Sequence, residues 1–217
     1  MKEKIKAIKH FSSRAGKYSG GCFSDTSHLD ILIKMAEVKP WFKALDIACG
    51  RGFLLKRLSK RVEFAAGIDI APGMLIDSFK NSVLGDAESL PFRSSSFNVV
   101  FTRFAFHHFP EPERVLREIS EVLLKGGSFI LADGVSSEKQ KYSNYLNRLE
   151  KLRDPSHIRL YRESELIKIL KEGFDTIKVE HYPLKQSLRE WLNRASCSAD
   201  TKEELRKLME DESIQSN

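Results

Sequence analysis

Apolar residues recur along this chain in two alternating rhythms. Short, nearly unbroken apolar runs, the kind buried on both faces of a parallel sheet, stand at 44–47, 62–70 and 97–103. Between and around them the apolar residues return every three or four positions. Leu29, Leu32, Ile33 and Ala36 mark a helix over 27–38, and a second runs over 53–60. Pro72 suits a first helical turn, but Gly85 follows so closely that this helix is short and the third strand has only 82–84. A helix over 112–124, closed by Gly126-Gly127 as a C′ pair, leads to a fifth strand at 128–132. Helices over 139–152 and 164–171, the latter stopped at Gly173, precede a sixth strand at 174–182. This alternation predicts an α/β fold in three layers: a doubly wound, mostly parallel sheet with helices on both faces. Past Pro183 the pattern is helical, around 188–193 and 202–209, and ends in the polar stretch 211–217. The expected organisation is one domain over 1–217, with a helical tail over 184–217.

The chemistry concentrates at strand ends. The run Ala44-Leu45-Asp46-Ile47-Ala48-Cys49-Gly50-Arg51-Gly52 ends a strand in an acid and turns through glycines into a helix. Glycine permits positive φ and lets backbone N–H groups approach a ligand. The acid just before the loop suits a ligand that carries positive charge there, whereas a pyrophosphate would be repelled. Asp69, about twenty residues past the loop, stands where doubly wound folds place a carboxylate that takes two ribose hydroxyls. Asp86 follows in Gly85-Asp86-Ala87-Glu88. Three acids at three successive strand ends line one sheet edge, where such sheets bind ligands.

These residues resemble the class I S-adenosylmethionine-dependent methyltransferases, and within them the small-molecule branch of ubiquinone/menaquinone C-methyltransferases. The likeness runs over about 11–182. It rests on Leu45-Asp46-Ile47-Ala48-Cys49-Gly50-Arg51-Gly52, Gly67-Ile68-Asp69-Ile70 with Met74, Gly85-Asp86-Ala87-Glu88-Ser89-Leu90-Pro91-Phe92, Phe97-Asn98-Val99-Val100, His107-His108-Phe109 and Leu123-Leu124-Lys125-Gly126-Gly127. The resemblance implies S-adenosylmethionine as cofactor and S-adenosylhomocysteine as its product form. It implies Asp46 on the cofactor's ammonium and the backbone of 48–52, including Cys49, Gly50 and Gly52, around its methionine portion. Asp69 takes the ribose, Ile70 covers the adenine, Met74 also touches the cofactor, Asp86 accepts from the adenine amino group, and the Ala87 N–H reaches a ring nitrogen. Ala48 stands where the family commonly has glycine and is expected at negative φ.

After the fourth strand, Arg103 is expected at the cofactor, Phe104 at the substrate, and His107 or His108 as a base whose ordinary pKa suits proton removal. An insertion over 134–165 carries His157, expected on the substrate wall. Phe11, Arg14 and Tyr18 resemble a lead-in that folds over the cofactor, so 1–25 is expected to form a lid with Tyr18 on the ligand. The family usually closes with an antiparallel strand pair, and the last strand has no good candidate here.

Composition changes this picture little. The 217 residues carry a net charge of +6, much of it within 1–17, and no basic stripe interleaved with aromatics supports RNA. The Asn/Asp-Pro-Pro-aromatic motif of base amino-group methylation is absent, and Thr102-Arg103-Phe104-Ala105 stands in its place. Nucleic acid is therefore an unfavoured partner, and a small-molecule acceptor the expected one. No apolar run reaches membrane length. Cys22, Cys49 and Cys197 lack metal-ligand spacing, so no metal is expected, and a reduced cytoplasm is the expected setting. A nicotinamide-dependent oxidoreductase is disfavoured by Asp46 and the missing third glycine. An RNA methyltransferase and a non-catalytic S-adenosylmethionine-binding protein remain alternatives.

Overall fold

The computed structural model describes residues 1–19, 27–76, 78–183, 187–193 and 197–210. In chain order the elements are α1 (Lys2–Arg14), α2 (Ser27–Met35), β1 (Lys43–Ile47), α3 (Phe53–Leu58), β2 (Phe64–Asp69), α4 (Pro72–Leu75) and β3 (Ser82–Leu84). They continue through β4 (Phe97–Arg103), α5 (Pro112–Val122), β5 (Leu123–Ala132), α6 (Gln140–Arg153), α7 (Glu163–Leu170), α8 (Leu188–Asn193) and α9 (Ala199–Glu210). Five strands pair in the order β3-β2-β1-β4-β5, all parallel. The order reverses direction after β1, so a crevice opens outside the carboxyl ends of the central strands.

Strand periodicity divides the core between the two faces. Leu45, Ile47, Ala66, Ile68 and Val100 pack with Val115, Ile119 and Val122 of α5 and Leu166 of α7. Their neighbours Ala44, Ala65, Val99 and Phe101 turn the other way, onto Leu29, Leu32 and Ile33 of α2 and Leu54, Leu55 and Leu58 of α3. A separate apolar cluster joins Leu149 of α6, Leu192 of α8 and Leu205 of α9. The helical tail thus docks on α6, not on the sheet.

Two expectations fail. The stretch 174–182 is not a strand. Its apolar residues, Phe174, Ile177, Val179 and Tyr182, come at spacings of three, two and three, which cannot put one row onto a sheet face. Phe174 stacks on Phe129 at 5.6 Å between centroids, and most of the rest lies exposed. Among the described residues the sheet therefore stops at five strands, and no seventh is formed. Nor do Gly126 and Gly127 cap α5. The helix ends at Val122, Leu123 is already extended and pairs with Phe97, and the glycines occupy the irregular stretch of β5 before Ser128 meets Val99. Gly126 supplies that stretch with φ +78°.

Residues 20–26, with Gly20, Gly21 and Cys22 of the expected lid, and the polar end 211–217 lie outside the described residues. Among the described residues no helix is long and apolar enough to cross a membrane.

Candidate active site

The turn between β1 and α3 needs three left-handed residues: Ala48 (φ +55°), Gly50 (+55°) and Gly52 (+73°). This winding returns the chain to β2, where the Cys49 N–H donates to the Ile68 carbonyl at 3.0 Å and the Gly50 N–H to Asp69 Oδ2 at 2.8 Å. The expectation of negative φ at Ala48 is thus corrected. A Cβ in this region costs about 1–2 kcal/mol, which the loop's hydrogen bonds must offset. Asp69 Oδ1 accepts a second backbone N–H, from Ala71, at 2.8 Å. Each Asp69 oxygen therefore keeps one lone pair for a ligand. Asp46, with 3% of its surface exposed, lies beneath the loop. Burial pushes its carboxyl up to about 7, against the pull of Arg103 and with the push of Asp69. Arg103 reaches His28 Nε2 at 3.0 Å and covers the Phe104 ring at 5.1 Å.

A cavity of about 290 Å³ opens above this loop. One end is walled by Ala48, Cys49, Gly50, Asp69, Ile70, Met74, Asp86 and Ala87. Helix α1 lies across it and brings Lys4 between two carboxylates. Lys4 Nζ donates to Asp86 Oδ2 at 2.6 Å and also to Glu88 Oε2, while Asp86 Oδ1 accepts the Glu88 N–H at 2.9 Å. Burial opposes the Lys4 charge, yet the two acids outweigh it and hold its pKa above the ordinary lysine value. Tyr18, just past α1, lines the cavity and contacts Phe11 and His10.

Histidines gather at the other end. His107 Nδ1 meets Asp133 Oδ1 at 2.7 Å, and Asp133 also accepts the backbone N–H groups of His107 and Gly134. Burial opposes a charged His107, but Asp133 prevails and its pKa stands above the ordinary histidine value. Burial and the neighbouring His107 drive His108 well below it, and His157 down to about 4. His108 and His157 lie 4.1 and 5.5 Å from His107 between ring centroids. The stretch 134–165 supplies part of this end. Asn147 Oδ1 bonds to His157 Nε2 at 3.0 Å, and Ser156 Oγ lies 3.3 Å from His108 Nδ1. Trp191, from α8, donates to Glu150 Oε1 at 2.9 Å, and its ring lies under the Arg153 guanidinium at 5.1 Å. Among the described residues no set of His, Cys, Asp and Glu is arranged to hold a metal ion.

Known proteins resemble this chain in sequence and fold. A methyltransferase domain model matches residues 45–131, from β1 to β5. The uncharacterized methyltransferase YcgJ of Bacillus subtilis is 30% identical over 209 residues, 90% of this chain and 82% of that protein. The chain is an S-adenosylmethionine-dependent methyltransferase. The YcgJ crystal structure superposes on it with a TM-score of 0.78, covering 86% of each chain at 28% identity. A putative methyltransferase from Bacillus halodurans gives 0.77, covering 89% of this chain and 85% of that one, also at 28% identity. A demethylmenaquinone methyltransferase of Staphylococcus aureus is 29% identical over 195 residues, 83% of this chain and 70% of that protein.

Most residues singled out in the sequence of this methyltransferase meet at the one cavity. Besides the eight residues named at its first end and Tyr18, they are Arg103, Phe104, His107, His108 and His157. Asp46 and Gly52 do not reach its wall, Asp46 because it is buried under the loop and Gly52 because it starts α3. Sequence reasoning missed Lys4, Asp133, Glu150, Arg153 and Trp191, all of which line the cavity. Asp133 was within reach. It follows β5 directly, as Asp69 ends β2 and Asp46 stands next to last in β1, and the same strand-end rule applied once more would have found it.

Proposed function

We propose that this methyltransferase acts on a small-molecule acceptor whose oxygen, nitrogen or acidic carbon gives up a proton to His107. The observation that carries this reading is the His107–Asp133 pair at the cavity. A carboxylate on Nδ1 fixes the tautomer with the proton there and leaves Nε2 as the basic nitrogen. The name of the Staphylococcus aureus relative, for demethylmenaquinone, supports this acceptor class.

The residues present fit the cofactor. Asp69 holds both carboxylate oxygens in place with backbone N–H groups and has capacity left for two hydroxyls. Asp86 stands ready for an amino group, Ile70 and Met74 offer apolar surface, and the left-handed loop brings its backbone to the cavity. When bound, S-adenosylmethionine supplies a methyl group on a positively charged sulfur, an activated leaving group. The protein's share is alignment and desolvation. Phe104, Phe109, Leu160 and Trp191 give the acceptor end an apolar wall, and Glu150 and Arg153 neutralise each other there at 2.6 Å. His107 takes the acceptor's proton at Nε2, and Asp133 stabilises the charge that the ring acquires.

The test is methyl transfer to a panel of phenols, 1,3-dicarbonyl compounds and amines, followed through release of S-adenosylhomocysteine. Turnover is expected on an acceptor with an ionisable proton. Its kcat rises with pH as His107 loses its proton, with a midpoint above the ordinary histidine value. His107→Ala is expected to lower kcat by about 10²–10⁴. Asp133→Asn moves the acidic limb to lower pH, because the charged ring loses its partner. An unchanged limb in Asp133→Asn, or full turnover in His107→Ala, sinks the assignment.

A further inference from the structure

Helix α1 is bound to the cofactor end by contacts that no packing of apolar faces would require. Lys4 spans Asp86 and Glu88, whose side chains are 35% and 5% exposed. The second oxygen of Glu88, Oε1, is buried without a hydrogen-bond partner. A buried carboxylate in that condition depends on its single counter-ion. In the last turn of α1, the backbone of Ser12 rests on Gly73 of α4. A Cβ at Gly73 would stand 2.5 Å from the Ser12 carbonyl oxygen. The Gly73 N–H faces Ser12 Oγ at 3.4 Å. Thus α1 meets the cofactor end in two places, a backbone contact at Gly73 and an ion triad at Asp86.

We propose that Lys4 is part of the cofactor site, locking α1 over its purine end through Asp86 and Glu88, so that bound S-adenosylmethionine or S-adenosylhomocysteine leaves only when this ion triad opens. This rests on the cofactor reading above, in which Asp86 takes the adenine amino group. Both Asp86 oxygens already hold one donor each, the Glu88 N–H and the Lys4 ammonium, and each retains a lone pair. Lys4 and a purine amino group can therefore share Asp86, and the lysine orients the carboxylate that the cofactor meets. Removing Lys4 leaves two neighbouring carboxylates, one of them buried, without their cation. Their repulsion frees α1 and disturbs the acceptor for the amino group. Lys4 is a positioning residue in this scheme.

The decisive experiment measures S-adenosylhomocysteine dissociation on a biosensor for the wild type, Lys4→Met, Lys4→Arg, Glu88→Gln and Asp69→Ala. Hydrogen exchange across residues 2–14 is followed in parallel, with and without the ligand. Dissociation is expected to quicken about tenfold or more in Lys4→Met and in Glu88→Gln, and Lys4→Arg to stay near wild type. The ligand is expected to slow exchange in α1 of the wild type and to leave α1 of Lys4→Met unchanged. Wild-type binding that Asp69→Ala destroys, together with a wild-type off-rate in Lys4→Met, overturns the latch alone. A wild type that does not bind S-adenosylhomocysteine overturns the latch together with the cofactor reading.

Discussion

Asp46 and Asp69 are both carboxylates at strand ends, yet the fold treats them differently. Burial raises both pKa values, but Asp69 is answered by backbone N–H groups from Ala71 and Gly50, whereas Asp46 is carried up to about 7. The sign follows. Between about pH 4 and 7 the unfolded chain has an ionised Asp46 and the native chain a protonated one, so the native state holds the extra proton. Stability contributed at this site therefore falls as pH rises to about 7, and stays low above it. Asp46→Asn removes that penalty. Its gain in unfolding free energy over the wild type is expected to be larger at pH 8 than at pH 5 by about 2–3 kcal/mol, measured by urea unfolding. A gain that is equal at both pH values counts against a buried carboxylate in this state. The acids themselves were legible because strand-end position is written in the sequence. Burial depth was not. Nothing in the order of residues says that the loop lies over Asp46 and leaves Asp69 open to the cavity.

At the scale of elements, the sheet was readable wherever a strand is buried on both faces. β1, β2 and β4 are short apolar runs, and even the three-residue β3 was found by exclusion. The misreadings fall at the chain's later turns. A glycine pair after a helix reads as a cap, but here β4 draws Leu123 into register and the glycines serve an irregular strand. The 174–182 stretch has strand-like composition without strand-like spacing. Gly67 shows how closely the elements beneath the loop are fitted. In β2 it faces Leu55 of α3 and Cys49 of the loop, and a Cβ there would lie 2.4 Å from Leu55 Cδ1 and 2.7 Å from Cys49 Sγ. Gly67→Ala is expected to destabilise the fold by about 1–3 kcal/mol and, by pushing Cys49 outward, to weaken S-adenosylhomocysteine binding in a calorimetric titration. Retained stability and affinity would mean that the loop gives way freely, which its left-handed winding argues against.

Across the whole molecule, stability and the cavity are distributed unequally. The two sheet faces carry large cores, while α8 and α9 hold to α6 through Leu149, Leu192 and Leu205. Leu205 is fully buried in that small cluster. Leu205→Ala is expected to cost about 2–5 kcal/mol of local stability and to speed hydrogen exchange over 188–210 while β1 and β4 keep their protection. Exchange that rises equally in β1 and β4 would show the tail and the sheet to be one cooperative unit. The helices of this tail were legible from their periodicity. Their docking site was not, because a helix's apolar stripe records that it is covered and not by what.

The cavity draws on both ends of the chain, Lys4 near its beginning and Trp191 late in it. That has a consequence in time. At the roughly 5–20 residues per second of synthesis, the sheet with its strand-end acids is finished once Ala132 has been made. Trp191 follows about 60 residues later, roughly 3–12 s at that pace. On the function proposed above, a nascent chain holds the strand-end acids of its cofactor site seconds before Leu160 and Trp191 complete the wall for its acceptor, and the order in which the two mature is the order in which they are written.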